Sequence, residues 1–144
     1  MNEELINLKL MVVISKLGKS LELKVSPEIR HKGLTFTQFT VLEAILHKGP
    51  QTVNDVITKA HSSSGNMGLV INNLIKSGFI VKEVSKTDKR ARLLDLTSSG
   101  RELIRELYPS HVKTINSLMG SLDISEKVTL VNLMKKLGLS LEGE

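Results

Sequence analysis

The chain of 144 residues contains no cysteine, no tryptophan, three prolines and only four aromatic side chains, Phe36, Phe39, Phe79 and Tyr108. Without cysteine there are no disulfide frameworks, thiolate zinc sites, cysteine nucleophiles or thiol redox switches. So few aromatics argue against a single-strand binder, which stacks bases on such rings. No apolar run approaches the roughly 18 residues of a membrane span, so no membrane partner is expected. The acidic opening Met1-Asn2-Glu3-Glu4 differs from the basic, then apolar, start of a secretory signal, and a cytoplasmic protein is expected. His31, His47, His61 and His111 lie far apart with no HExxH, so neither a metal site nor a cofactor is expected. There is no glycine-rich phosphate loop, paired-carboxylate pattern or activated nucleophile, so no catalytic residue is assigned and an enzyme is not expected.

What is present is a chain of ordinary globular composition, 40% hydrophobic, long enough for one domain with its own core. Its formal net charge of +5 is unevenly placed. Residues 76–92 hold six basic side chains (Lys76, Lys82, Lys86, Lys89, Arg90, Arg92) against Glu83 and Asp88, and so supply +4 of the total. Such a local excess is the footprint expected of a polyanion contact, though a solvated surface patch has the same composition.

Hydrophobic spacing places a long helix over residues 3–25, apolar on more than one side and broken at Ser26-Pro27. A second helix starts at the capping box Thr35/Gln38, buries Phe39, Leu42, Ile45 and Leu46, and ends at Gly49-Pro50. The capping box Thr52/Asp55 opens a short third helix, with Val53, Val56 and Ile57 inward, that stops near Ala60-His61. Ser62, Ser63 and Ser64 offer N-cap oxygens to a fourth helix whose inward stripe is Met67, Val70, Ile71 and Leu74. Its other face shows Asn66, Gly68, Leu69, Asn72 and Asn73, and Gly78 is its stop. The third and fourth helices make a helix-turn-helix.

Phe79–Val84 and Arg92–Leu96 read as strands joined by the basic loop Ser85–Ala91, which is a wing. Thr97-Ser98-Ser99-Gly100 opens a fifth helix with the stripe Leu103, Leu107, Val112 or His111, Ile115, Leu118 and Leu122, kinked or split at Pro109. Ser125 caps a sixth, Glu126–Leu137, with Leu130, Leu133, Met134 and Leu137 on one side. The fold class is mainly α with a small β-hairpin wing. The expected organisation is an N-terminal dimerisation helix and connection over 1–33, a winged helix-turn-helix over 34–97 and C-terminal dimerisation helices over 98–144.

A major groove admits one α-helix, whose N-terminal end meets base edges. Ser62, Ser63 and Ser64 suit phosphate or capping contacts there, Asn66 suits adenine, and Leu69 suits a thymine methyl. Lys86, Lys89, Arg90 and Arg92 suit the wing, with the tip pair Lys89 and Arg90 in the minor groove. Asp88 is expected to pair with Arg90 and orient its guanidinium.

Asp88-Lys89-Arg90-Ala91-Arg92-Leu93-Leu94-Asp95-Leu96-Thr97-Ser98-Ser99-Gly100 resembles the D-x-R-x-x-x-[VL]-x-L-T-x-x-G signature of MarR-type winged-helix regulators. Ser63–Met67 and Asn73–Ile80 are similar to the same family's recognition helix and its exit, so that the resemblance covers residues 34–104. It implies a homodimer interlocked through the first and last two helices, which bears on the wide apolar surface of residues 5–21. It also implies repression or activation of nearby genes, commonly relieved by a small, often aromatic, anion. The groove-facing run carries over to Ser62, Ser63, Ser64, Asn66, Gly68 and Leu69, and the wing tip to Lys89 and Arg90. Many members have a basic or polar side chain where this chain has Leu69. Cysteine-based sensing is excluded, and His111 is followed four residues on by Ile115 rather than by a second histidine. His31, Phe36, Phe39 and Tyr108 are the candidate ligand-lining residues, although residues of these kinds are more often simply core or interface. The expected function is a sequence-specific dimeric repressor on duplex DNA, with a nonspecific architectural DNA-binding protein as the alternative.

Overall fold

A computed structural model describes residues 2–59 and 66–142. They form, in chain order, α1 (Glu3–His31), α2 (Phe36–Lys48), β1 (Gln51–Thr52), α3 (Val53–Lys59), α4 (Met67–Lys76), β2 (Ile80–Val84), β3 (Arg92–Leu96), α5 (Ser98–Leu118) and α6 (Ile124–Glu142). The class is mainly α with a small antiparallel sheet, as expected. Two compact units divide the chain, Met1–His111 and Val112–Glu144.

In the first unit, capping chemistry sets the helix starts. The Thr35 hydroxyl accepts from the Gln38 backbone N–H at 3.1 Å, and the Gln38 side chain accepts from the Thr35 N–H at 2.9 Å. Thr52 and Asp55 repeat the exchange at α3, so both predicted capping boxes are present. Helix α2 ends at Gly49, whose φ of 79° is in the left-handed region that favours glycine. The core gathers around α2, where Phe39, Val41, Leu42 and Ile45 meet Val56, Met67, Ile71, Leu74, Ile80, Leu94, Ile104 and Leu107, all buried.

Helix α1 corrects one expectation: it runs to His31, straight through Ser26-Pro27. Val25, Ser26 and Ile29 are its buried residues, so packing continues past the proline and overrides the local preference of Ser26 for an extended backbone. Pro27 leaves the Leu23 carbonyl without its helical donor, but Leu23 is on the exposed side, where water supplies one. The Ser26 hydroxyl donates to the Glu22 carbonyl. Between Leu5 and Leu17 the apolar side chains are mostly exposed.

The sheet has order β1-β3-β2, antiparallel throughout, with Gln51 opposite Leu94 and Ile80 through Val84 opposite Leu96 through Arg92. The hairpin was expected and the third strand was not, since a two-residue strand carries no alternation to read. Leu94 and Leu96 point inward on either side of the half-exposed Asp95.

Helix α5 differs from expectation at two points. Its buried residues are Gly100, Ile104, Leu107 and His111: Leu107 and His111 are on the predicted stripe, and Ile104 is buried where Leu103 was expected. A Cβ on Gly100 would clash with the Phe79 carbonyl oxygen and lie 2.8 Å from its carbon, so the glycine lets the helix close on the backbone and so fixes which face turns inward. Of the two forms expected at Pro109, the split one is absent: α5 runs as one helix through the proline. The carbonyl it deprives of a donor is that of Arg105, an exposed residue, and water can take its place.

In the second unit, α6 begins one residue before the expected cap, at Ile124. Asp123 rather than Ser125 caps it: the Asp123 carboxylate accepts from the Glu126 N–H, and the Glu126 carboxylate from the Asp123 N–H, both at 2.9 Å. No residue of α6 is buried. Leu130, Leu133, Met134 and Leu137 form the predicted stripe, and Ile124, Val128 and Val131 add a second exposed apolar face. Among the described residues, no helix is long and apolar enough to cross a membrane.

Candidate nucleic-acid interface

Helix α4 is held by one face and open on the other. Met67, Ile71 and Leu74 are buried, while Asn66, Gly68, Leu69, Asn72, Asn73 and Lys76 are exposed. The Asn66 side chain makes no cap bond, so its carboxamide is not used in starting the helix. Ser62, Ser63 and Ser64, with the Ala60-His61 end of the third helix, lie outside the described residues. The far end of α4 is fixed firmly. Gly78 takes φ of 79°, and the Gly78 and Phe79 N–H groups return to the Ile75 and Leu74 carbonyls at 3.0 Å. Thr97 then ties this exit to α5: its hydroxyl donates to the Gly78 carbonyl at 2.5 Å and its N–H to the Phe79 carbonyl at 3.0 Å. The same hydroxyl accepts from the Gly100 N–H at 3.0 Å as the α5 cap.

The wing loop is organised by its own polar atoms. Ser85 is buried, and its hydroxyl accepts from the Thr87 and Asp88 N–H groups at 3.3 and 3.2 Å. Its N–H reaches the Ala91 carbonyl, and the Ala91 N–H returns to the Asp88 carbonyl, both at 3.0 Å. The Asp88 carboxylate accepts from the backbone N–H of Arg90 at 3.0 Å. That corrects the expected pairing with the Arg90 guanidinium: an aspartate side chain reaches the N–H two residues on within a turn. Asp88 therefore shapes the tip and leaves the Arg90 side chain unengaged. Arg92 donates to the Lys89 carbonyl at 3.3 Å. Lys86, Lys89, Arg90 and Arg92 are all exposed, and among the described residues none is in an ion pair. The arrangement is a groove-sized helix beside a loop of unneutralised cations.

Residues 32–91 match the MarR family model. Over 140 residues the chain is 31% identical to the HTH-type transcriptional regulator YkoM of Bacillus subtilis, an alignment covering 96% of this chain and 91% of that one. The chain belongs to the MarR family of winged-helix transcriptional regulators. A MarR/EmrR-family regulator from Acinetobacter sp. ADP1 shares the fold with a TM-score of 0.86 over the whole of both chains, at 21% identity. BpsR of Bordetella bronchiseptica, whose DNA binding is regulated by 6-hydroxynicotinic acid, aligns with a TM-score of 0.77 and 25% identity over 88% of this chain and 90% of that one.

In this MarR-family chain the four candidate ligand-lining residues have different surroundings. His31 is exposed at the end of α1. Phe36 lines an open depression with Leu21, Glu22 and Val25. Phe39 is fully buried, its ring edge-on to His111 at 4.6 Å between centroids. Tyr108 meets His47 in the same manner at 5.1 Å.

Sequence reasoning missed the polar cluster next to them. His111 is buried beside Glu43, with 3.4 Å between Nε2 and Oε2. Burial pushes its pKa below the ordinary value, and the Glu43 and Glu28 carboxylates oppose that only in part. The Ser110 hydroxyl donates to Glu28 at 2.7 Å, and Lys32 pairs with Glu106 at 2.6 Å. These contacts join the C-terminal part of α1 to α5. His111 occupies a stripe position, which was the available signal, but its carboxylate partners lie about 70 and 80 residues away in sequence, beyond any local pattern.

Proposed function

We propose that the chain is a homodimeric, sequence-specific repressor without catalytic chemistry, acting in the cytoplasm on a pseudo-palindromic duplex operator. Helix α4 enters the major groove, with Asn66, Gly68 and Leu69 in the groove-facing run and Ser62, Ser63 and Ser64 at its entrance. The wing reaches the minor groove through Lys89 and Arg90, with Lys86 and Arg92 along its flanks. The observation that carries this reading is the pairing of an unpacked polar helix face with unpaired wing cations on one unit.

The exposed apolar residues of α1 and α6 support the dimer. Soluble monomers rarely expose surfaces of that kind, and both helices need a partner. The expected organisation follows: dimerisation segments over 1–33 and 98–144 around the DNA-binding segment 34–97. By analogy with BpsR, a small aromatic acid releases the DNA. Phe36, which lines an open depression, supports such a ligand site; His31 at the end of α1 and Tyr108 on α5 are the further candidates, and Phe39 is fully buried.

Selection of bound sites from a random duplex library, at about physiological salt, tests the proposal. Enrichment of an inverted repeat with half-site centres about one helical turn apart, roughly 10 bp, is the expected result. Binding without an enriched sequence would favour a nonspecific architectural protein, and absence of binding would overturn the DNA assignment.

A further inference from the structure

The outward edge of α4 is chemically one-sided. Opposite the buried Met67, Ile71 and Leu74 runs a ridge of Leu69, Asn72, Asn73 and Lys76, at i, i+3, i+4 and i+7. Leu69 is 63% exposed, a large apolar side chain with no packing role in its own unit. Helix α4 contains no arginine, aspartate or glutamate, and neither does the preceding segment 60–65.

Base-edge chemistry then limits what the ridge can read. Guanine is recognised by a forked arginine or by lysine at O6 and N7, and cytosine by a carboxylate at N4. Adenine takes a carboxamide on N6 and N7, and thymine offers a C5 methyl to an apolar side chain. The ridge supplies the second pair of chemistries and, apart from Lys76 in the last turn, none of the first. Building on the operator reading above, we infer that Leu69, with Asn72 and Asn73, is the specificity element, and that it selects A·T pairs with a thymine methyl seated against Leu69. The amide pair reads adenine from a position nearly two turns further along the helix than Asn66, the residue first expected to do so. Lys76 serves the backbone at the groove's edge.

The test uses the full-length protein and the duplex enriched in the selection, with single thymines replaced by deoxyuridine, which removes only the methyl. Wild-type affinity is expected to fall about fourfold at one thymine per half-site, the value of one methyl group returned to water. Leu69→Ala, which removes the contact in both half-sites of the dimer complex, is expected to lose about fifteenfold and become indifferent to that replacement. Asn72→Ala or Asn73→Ala is expected to lose about tenfold and to relax the preference for adenine at one position. All three side chains are exposed, so a thermal melt equal to wild type establishes that each variant is folded. An enriched half-site with G·C pairs at its centre, or wild-type binding indifferent to uracil at every position, overturns the inference while leaving the regulator reading intact. A library with no enriched sequence overturns both.

Discussion

Replacing Gly100 by alanine adds a single methyl group, and the structure makes that methyl expensive. The new Cβ would clash with the Phe79 carbonyl oxygen and lie 2.8 Å from its carbon. Neither side can step back freely. The Phe79 carbonyl accepts from the Thr97 N–H and the Phe79 N–H is held by Leu74, while Gly100 is anchored through its N–H to the Thr97 hydroxyl. Relief requires the first turn of α5 to lift from the end of α4. Overpacking of this kind costs about 1–3 kcal/mol, and loss of the Thr97–Phe79 hydrogen bond adds about 1 kcal/mol. The expected destabilisation of Gly100→Ala is therefore about 2–4 kcal/mol, read as a lower urea midpoint at unchanged slope. Gly68→Ala is the control. Nothing lies within 4 Å of its Cβ position, and on helix propensity it should stabilise by about 0.5–1 kcal/mol. A Gly100→Ala protein within about 0.5 kcal/mol of wild type would refute the argument, because changes of that size are ordinary for surface sites.

Three further outcomes follow from the same contacts. His111 titrates in the folded chain below its unfolded value of 6.5. The unfolded chain therefore takes up the proton first. Its stabilising contribution is complete above that pH and is lost as pH falls toward the lower folded value. Unfolding free energy measured at pH 7.5 and 5.5 should fall on acidification, and His111→Leu should reduce the difference; an unchanged slope would remove His111 as its source. Arg90→Ala, which removes one wing cation from each protomer of the dimer, should weaken operator binding by about tenfold or more and reduce the slope of log affinity against log salt by about 1.8. Its unfolding midpoint should stay in place, since Asp88 grips the Arg90 backbone rather than its side chain. Leu133→Glu combined with Leu137→Glu should convert a dimer to a monomer in sedimentation velocity, whereas a persistent dimer would locate the interface elsewhere.

The elements legible in the sequence were those governed by neighbours a few residues apart. Thr35/Gln38 and Thr52/Asp55 fix helix starts through side chains that reach three residues, and the α4 stripe needs only one repeat of the helix. Pro27 misled because a local rule met burial at a distant point, Ile29 packing beyond it, and Pro109 left α5 unsplit; the carbonyls both deprive of a donor belong to exposed residues. Asp123 was readable, as the same three-residue pattern shared with Glu126, but the serine two residues later drew the assignment. Strand β1 and the His111–Glu43 contact were invisible for a different reason. Each is defined by a partner tens of residues away, and neither leaves a period behind. At the interface, exposed character was legible on α4 and the wing, but the true partner of the Asp88 carboxylate required the backbone turn itself.

Helix α6 has a consequence for how the chain reaches its native state. A nineteen-residue helix that buries none of its side chains within its own chain gains little from tertiary packing there. Isolated helices of about this length are marginal in water. Under the proposed assembly, its free energy comes from the second copy, so that completing this end of the molecule is a bimolecular event. Its rate rises with the concentration of chains, and its equilibrium shifts with dilution. A cell making few copies would then hold this end partly unwound and open to proteases, and a cell making many would hold it closed. The amount of regulator would thereby influence its own lifetime, before any effector or operator is involved.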